Sequence, residues 1–340
     1  MTVDIVNENR MLEEVLEGLM ATPKTLSPKY FYDKRGAELF EKICKLKEYY
    51  PTRTEISILE NHIHDIKAAL GSRPILYEFG SGSSTKVQIL LKHMDDISGY
   101  VPIDICREYL DIAADELRVK FPKLKISPTC ADFCQKVELN DSVTLSHQDC
   151  GRVVFFPGST IGNFNPEEAS KFLLNAASTL GAKGKLLIGV DSVKDIAILE
   201  SAYNDDSGVT RDFNLNVLDR FNRELGADFD LSCFEHLAFY NQTLHRIEMH
   251  LKCIRSCQVK IQGRQISFKS GESIQTESSY KYHPHDFIAL AEKSGFQFLR
   301  RWNDLDEYFN VFLFEVRPSI LTGLKNERAH SIQEKVMEAI

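Results

Sequence analysis

The strongest constraint on the fold lies between residues 73 and 191, where short apolar runs alternate with amphipathic stretches. Ile75–Phe79 reads as a buried strand, Thr85–His93 as a helix, Tyr100–Asp104 as a strand and Arg107–Phe121 as a helix. A strand from Lys125 to about Thr129, another at Val153–Phe156, a helix opening at Asn165 and a strand at Lys185–Val190 complete the series. Strands that are apolar on both faces need cover on both sides. Strands separated by helices run parallel, so the pattern predicts a doubly wound α/β sheet. The helix start is written out in Asn165-Pro166-Glu167-Glu168: an N-cap, a proline in the first turn and a glutamate placed to close a capping box.

The alternation stops near residue 195. Val193–Leu225 reads as helix with a break at Ser207-Gly208, and Phe234–Tyr282 as several strands turning at Gln262-Gly263 and Ser270-Gly271. It resumes with a helix at Asp286–Ser294 and strands at Phe298–Trp302 and Phe309–Val316. The short connection Asp304–Tyr308 predicts that these last two form an antiparallel edge hairpin. Ahead of the sheet, Leu12, Val15, Leu16 and Leu19 form a helical stripe, and Ala37–Lys45 and Thr52–Leu70 read as further helices. The simplest organisation is one doubly wound domain interrupted by an insertion.

Composition removes several function classes. With 43% hydrophobic and 26% charged residues, the 340-residue chain is not disordered as a whole. A formal charge of −8 argues against nucleic acid or an anionic membrane as partner. No apolar run reaches bilayer length, and the first residues lack the basic start and apolar core of a secretory signal, so a cytoplasmic protein is expected. The eight cysteines contain no Cys-x-x-Cys pair; Cys130/Cys134 and Cys253/Cys257 stand four apart without metal-ligand partners, so reduced thiols are expected. His283 and His285 flank Pro284 with no acidic or cysteine partner in place, so they read as solvated loop histidines and no metal is expected.

Gly80-Ser81-Gly82 follows the first strand of the series, where open α/β sheets bind ligands. Asp104 ends the next strand, a position from which a carboxylate accepts hydrogen bonds from a ribose diol. Asp132-Phe133 follows the third strand and suits an adenine amino group and ring. Nicotinamide and S-adenosylmethionine (SAM) enzymes both use this layout. The loop continues Ser83-Ser84-Thr85 instead of completing G-x-G-x-x-G, and the expected edge hairpin is that of class I methyltransferases, so SAM is favoured.

More specific signals lie outside the loop. Tyr30-Phe31-Tyr32-Asp33-Lys34-Arg35-Gly36, Leu39-Phe40 and Glu48-Tyr49-Tyr50-Pro51-Thr52-Arg53 are followed by Glu78-Phe79-Gly80-Ser81-Gly82 and Gly158-Ser159-Thr160-Ile161-Gly162-Asn163. Then come Ala202-Tyr203, Asn204-Asp205-Asp206-Ser207-Gly208-Val209-Thr210, Arg246-Ile247-Glu248-Met249 and Thr276-Glu277-Ser278-Ser279. In this order, over roughly residues 10–317, the motifs resemble the ergothioneine-pathway L-histidine Nα-methyltransferases, also called dimethylhistidine N-methyltransferases.

The resemblance implies a class I SAM-methyltransferase sheet with an inserted α+β substrate-binding domain. The expected boundaries are 8–56 with 195–283 for the substrate-binding domain, 57–194 with 284–318 for the SAM-binding domain, and a tail at 319–340. It implies trimethylation of the α-amine of L-histidine to hercynine, with SAM as donor, S-adenosylhomocysteine (SAH) as product and no metal. Gly80, Gly82, Lys86, Asp104, Asp132 and Phe133 would bind SAM. Asn163 and Tyr203 would hold the carboxylate end of histidine with Tyr49 nearby, Glu277 and Ser279 the imidazole, and Met249 would line its pocket. Tyr32 and Phe40 would shape the amine side, the working form would be a monomer, and no catalytic base is assigned.

The residue types suit that chemistry. Glu277 and Ser279 stand two apart on an expected strand, so both leave one face; a carboxylate accepts from an imidazole N–H while a hydroxyl serves the other nitrogen. Aromatic faces stabilise methylammonium groups. The chain departs from the family at Gln275 and Ser278, where Arg and Ile are commoner; alternation puts Gln275 on the Glu277 face and Ser278 on the opposite one. Two alternatives remain: a relative methylating a tryptophan-type amino acid, and a non-catalytic SAM- or metabolite-binding protein.

Overall fold

The structure, a computed structural model, describes residues 2–318 apart from Ser83, Cys134, Lys136, Glu138, 140–142 and 144–149, with the side chains of 2–9 also outside the description. The expected tail at 319–340 therefore lies outside the described residues. The chain divides into two compact units: Met1–Arg53 with Val193–Lys281, and Thr54–Ser192 with the chain from Tyr282.

The second unit is the doubly wound sheet. Its strands are β2 (Ile75–Phe79), β3 (Gly99–Asp104), β4 (Thr129–Cys130), β5 (Arg152–Phe156), β6 (Lys185–Asp191), β12 (Phe296–Asn303) and β13 (Phe309–Val316). Their order is β12-β13-β6-β5-β2-β3-β4. β2 to β6 pair in parallel, and β13 runs antiparallel to both β6 and β12, which makes the expected edge hairpin. This is the class I methyltransferase sheet.

Its helices are α3 (Tyr50–Leu70, whose first residues belong to the other unit), α4 (Val87–His93), α5 (Arg107–Lys120), α6 (Pro166–Leu180) and α9 (Pro284–Lys293). Alternate strand residues feed two cores. Tyr77, Phe79, Val154, Phe156, Ile188, Phe312 and Phe314 pack with Phe172 and Leu173 of α6 and Phe287 of α9. Leu76, Val153, Phe155, Leu187, Val311 and Leu313 pack with Ile63 and Ile66 of α3 and Leu90 of α4. Both faces of the sheet are thereby covered, and each such side chain contributes about 1.5–3 kcal/mol. α6 starts with the full capping box: Asn165 Oδ1 accepts from Glu167 N and Glu168 N at 3.0 and 2.9 Å, and Asn165 N donates to Glu168 Oε2 at 2.9 Å.

Three expectations change. The third strand is shorter than expected and starts at Thr129; upstream only an isolated bridge joins Ile126 to Tyr100. Pro128 has no N–H to donate, which interrupts the ladder before Thr129. The helix at 193–225 does break at Ser207-Gly208 as read, but the interruption is longer, leaving α7 (Ile196–Ser201) and α8 (Val209–Leu225). The residues between them fold around Asp205, whose carboxylate accepts from Val209 N and Thr210 N at 2.9 and 2.8 Å. Burial opposes its ionisation, yet these donors hold the carboxyl below its usual range.

The third change falls in the first unit. Its sheet runs β1 (Lys24–Thr25), β11 (Ser273–Tyr280), β8 (Arg246–Cys253), β7 (Phe234–Asn241), with β1 parallel to β11 and the rest antiparallel; β9 (Cys257–Ile261) and β10 (Arg264–Phe268) form a separate hairpin. β11 carries a register shift between Gln275 and Glu277. The shift breaks simple alternation, so Gln275 does not share a face with Glu277: its amide donates to Ser278 Oγ at 2.8 Å. Thr276, at the shift, is buried and donates to Asn214 Oδ1 of α8 at 2.7 Å. α1 (Thr2–Met20) and α2 (Lys34–Ile43) complete this unit, with α8 against α2, β7 and β8.

Among the described residues, no helix is long and apolar enough to cross a membrane. Nor does any group of three or more His, Cys, Asp or Glu side chains there stand ready to hold a metal ion; His283 and His285 stack at 5.8 Å around the start of α9.

Candidate functional site

In the doubly wound unit, the loop after β2 turns through Gly80 at φ +68°, a conformation that disfavours any side chain. A Cβ there would come within 3.4 Å of the Phe133 ring, so the missing side chain also makes room for that ring. Gly80 N and Ser81 N donate to Ile103 O at the end of β3, at 2.8 and 3.3 Å. Asp104, next along β3, accepts from Gly82 N at 3.2 Å and Cys106 N at 3.1 Å. Phe133 stacks on Phe79 at 6.1 Å, and Asp132 O accepts from Gln135 N in the turn just beyond β4. Gly80, Gly82, Asp104, Asp132 and Phe133 thus stand at the carboxyl ends of three neighbouring strands.

The residues fit an adenosyl ligand. The Ser81 hydroxyl is buried in this loop with no hydrogen-bond partner among the described residues. Asp104 offers carboxylate lone pairs beyond the two that the backbone uses, and a phenyl ring closes one side.

Lys86, expected at the cofactor, stands before α4 with its Nζ 2.5 Å from Glu55 Oε2. Glu55, on α3, is 0% exposed and accepts from Gly158 N at 2.8 and 3.1 Å with its two oxygens. Asn163 closes the turn that follows. There Gly162 N donates to Ser159 O at 2.8 Å, and Ser159 Oγ accepts from Asp191 N at 2.9 Å. Glu78 is buried beneath the loop and accepts from the Tyr100 hydroxyl. Burial pushes its carboxyl up to about 8, against the opposing pull of the Tyr100 hydrogen bond and the Lys86 charge.

The first unit holds the expected substrate residues other than Asn163, which belongs to the second. Tyr32 meets Phe40 at 5.8 Å, Phe40 meets Tyr49 at 6.2 Å and Tyr49 meets Tyr203 at 6.3 Å, each ring edge-on to the next. Phe213 of α8, which sequence reasoning missed, joins Tyr32 at 5.9 Å and Phe40 at 6.0 Å. Burial, reinforced by Tyr203 and other neighbours, raises the Tyr49 hydroxyl well above its ordinary value, so it stays a neutral phenol.

On β11, Glu277 stands opposite Met249 of β8, which sets that thioether beside the carboxylate. Burial lifts the Glu277 carboxyl to about 7, and the charge of Lys281 pulls the other way. Ser279 Oγ accepts from the Tyr203 hydroxyl at 2.9 Å and from Lys281 Nζ at 2.8 Å. Lys281, 3% exposed, also lies 3.2 Å from the Tyr203 oxygen. Sequence reasoning missed Lys281, although its spacing, two residues beyond Ser279 on an expected strand, was the available signal. Tyr203 and Ser279 were expected at opposite ends of the ligand, but the structure joins their hydroxyls. Tyr203 therefore serves a carboxylate only by releasing Ser279.

The family described as "Histidine-specific methyltransferase, SAM-dependent" matches residues 11–316. A histidine N-alpha-methyltransferase of Mycolicibacterium smegmatis is 40% identical over 296 residues, covering 86% of this chain and 90% of the relative. One from Mycobacterium tuberculosis is 38% identical with the same coverage. A 4-dimethylallyltryptophan N-methyltransferase of Claviceps purpurea is 27% identical over 341 residues, covering 91% and 95%.

Proposed function

The chain belongs to the SAM-dependent, histidine-specific methyltransferase family, and from that premise we propose that it trimethylates the α-amine of L-histidine to hercynine, the first step of ergothioneine biosynthesis. The observation that carries the reading is the hydrogen-bond sense at Glu277 and Ser279. Ser279 Oγ already accepts from Tyr203 and Lys281, so its own hydrogen is left to donate outward. Glu277, when ionised, only accepts. One donor and one acceptor match a neutral imidazole, which carries one N–H and one bare nitrogen. An indole carries a single N–H and no ring acceptor, and would leave the Ser279 hydrogen without a partner.

SAM, when bound, supplies an electrophilic methyl group. Gly80, Gly82, Asp104, Asp132 and Phe133 hold its adenosyl end and Lys86 its anionic end. Asn163 takes the substrate carboxylate, and Tyr49, a phenol that stays neutral, remains a hydrogen-bond donor. The α-amine attacks only as the free base, and an α-amino group titrates near or above 8, so each round starts with loss of a proton that reaches water directly or by relay through a tyrosine hydroxyl. The faces of Tyr32 and Phe40 favour the growing methylammonium. Position supplies much of the rate, because the lone pair must lie opposite the departing sulfur. The proposed setting is the cytoplasm and the proposed working form a monomer.

The test is mass spectrometry of a reaction containing SAM and the twenty amino acids. Histidine gaining up to three methyl groups supports the reading. Methylation of a different amino acid, or SAM binding without turnover, overturns it.

A further inference from the structure

We infer that Glu55 is a positioning residue that aims Lys86 at the methionyl carboxylate of SAM. The inference rests on the SAM dependence of the family but not on the identity of the amino acid that is methylated. A fully buried carboxylate is costly unless it is paired and hydrogen-bonded, and an apolar side chain on the inner face of α3 would avoid the cost. The fold instead makes room for it. Position 189 on β6 is glycine, and a Cβ there would fall 2.0 Å from Glu55 Oε1. Gly158 N donates to both oxygens of the same carboxylate, which fixes the carboxylate plane.

Lys86 is the only cation that Glu55 pairs with among the described residues, and its side chain is 16% exposed where that of Glu55 is 0%. The ammonium therefore stands at the open edge of the pair. Glu55 takes one of its N–H donors, and the others remain for a ligand. Lys86 stands on the same β2–α4 connection as Gly80 and Gly82, just before α4, so a ligand cradled by that connection comes within its reach. Of the groups that SAM offers, only the methionyl carboxylate is anionic. Glu55 does not touch the ligand; it restricts a flexible four-carbon side chain to one direction.

The test uses two ligands that share the adenosyl group. SAH has the amino-acid carboxylate, whereas 5′-methylthioadenosine lacks it. Calorimetry on Glu55→Gln should show SAH affinity lower by tenfold or more and methylthioadenosine affinity within twofold of the unaltered chain. Lys86→Met should show the same selectivity. The double variant should bind SAH no more than twofold worse than Lys86→Met alone, because the two residues act as one unit. A general weakening of the cofactor loop would lower both affinities together and overturn the inference, as would unchanged SAH affinity or losses that multiply in the double variant. Should Glu55→Gln not fold, Glu55→Asp, which keeps the charge but draws it back by one methylene, is read by the same ratio. Histidine takes no part in these measurements, so their failure is distinct from failure of the proposed substrate.

Discussion

Glu277→Gln tests the group proposed to select histidine. The change keeps the size of the side chain beside Met249 but removes its charge and turns one acceptor into a donor. The imidazole N–H then loses a charge-assisted bond worth about 1.5–3 kcal/mol, or roughly ten- to a hundredfold in kcat/KM. The structure adds a pH signature. Burial has lifted this carboxyl to about 7 against the Lys281 charge, so its accepting form grows in as pH rises from 6 to 8. Neutral imidazole, titrating near 6.5, and free amine, near 8, grow in over the same direction. At subsaturating histidine the unaltered enzyme should therefore climb with three ionisations. The Gln variant should climb with two, lacking the one centred near 7. Steady-state kinetics with histidine and dimethylhistidine from pH 6 to 9, alongside SAH titration, measure both effects. SAH affinity should not move. Wild-type kcat/KM at pH 8, or superimposable profiles, would refute the reasoning.

Lys281→Met removes the charge that holds the Glu277 carboxyl down, so the ionisation near 7 should move to higher pH in the same profile and histidine KM should rise. An unmoved midpoint would show that Lys281 does not act on Glu277. Asp104→Ala removes the carboxylate that braces Gly82 N and Cys106 N, and should weaken SAH by about 1.5–3 kcal/mol in calorimetry while the chain stays folded. Glu78 is a stability test. Its folded pKa, about 8, lies above the ordinary 4.5, so its contribution is complete below 4.5 and is lost as pH rises through 8. The slope is on the order of 1.4 kcal/mol per pH unit across that window. Glu78→Gln should flatten the fall of melting temperature between pH 5 and 8; an unchanged slope would place the responsible group elsewhere.

The sheet was legible because a strand buried on both faces must be apolar throughout. Tyr77 and Phe79 serve one core and Leu76 the other, and no solvated strand reads that way. The capping box at Asn165 was equally legible, since all its partners lie within one turn. What escaped depends on partners distant in sequence. Glu55 sits in a helix among charged residues and looks solvated, and its burial is set by Gly158 and Gly189 on other elements. Phe213 joins Tyr32 and Phe40 from α8, and spacing does not announce that meeting. The shift in β11 has no glycine to mark it, so period-two reasoning placed Gln275 on the wrong face.

The aromatic group in the first unit bears on a question that the imidazole contacts leave aside, which is where the amine's proton goes. A base working near neutral pH needs a pKa near that pH, and a buried phenol moves the other way. Tyr49 is pushed further from that range by its own surroundings, Tyr203 included, so it serves as a hydrogen-bond donor and not as a base. Glu277 titrates near 7 but lies beside Met249 on the imidazole side of the proposed ligand, with its accepting oxygens committed there. The requirement also repeats. After the first and second transfers the amine must shed a proton again, whereas the third product has none to lose. On the proposed reading, the free-amine fraction present in solution feeds each round, and the rings of Tyr32, Phe40 and Phe213 favour the fixed cation at the end. A site arranged in this way needs no strong base, because its selectivity is exercised on the side chain while the amine comes to it partly deprotonated from solution.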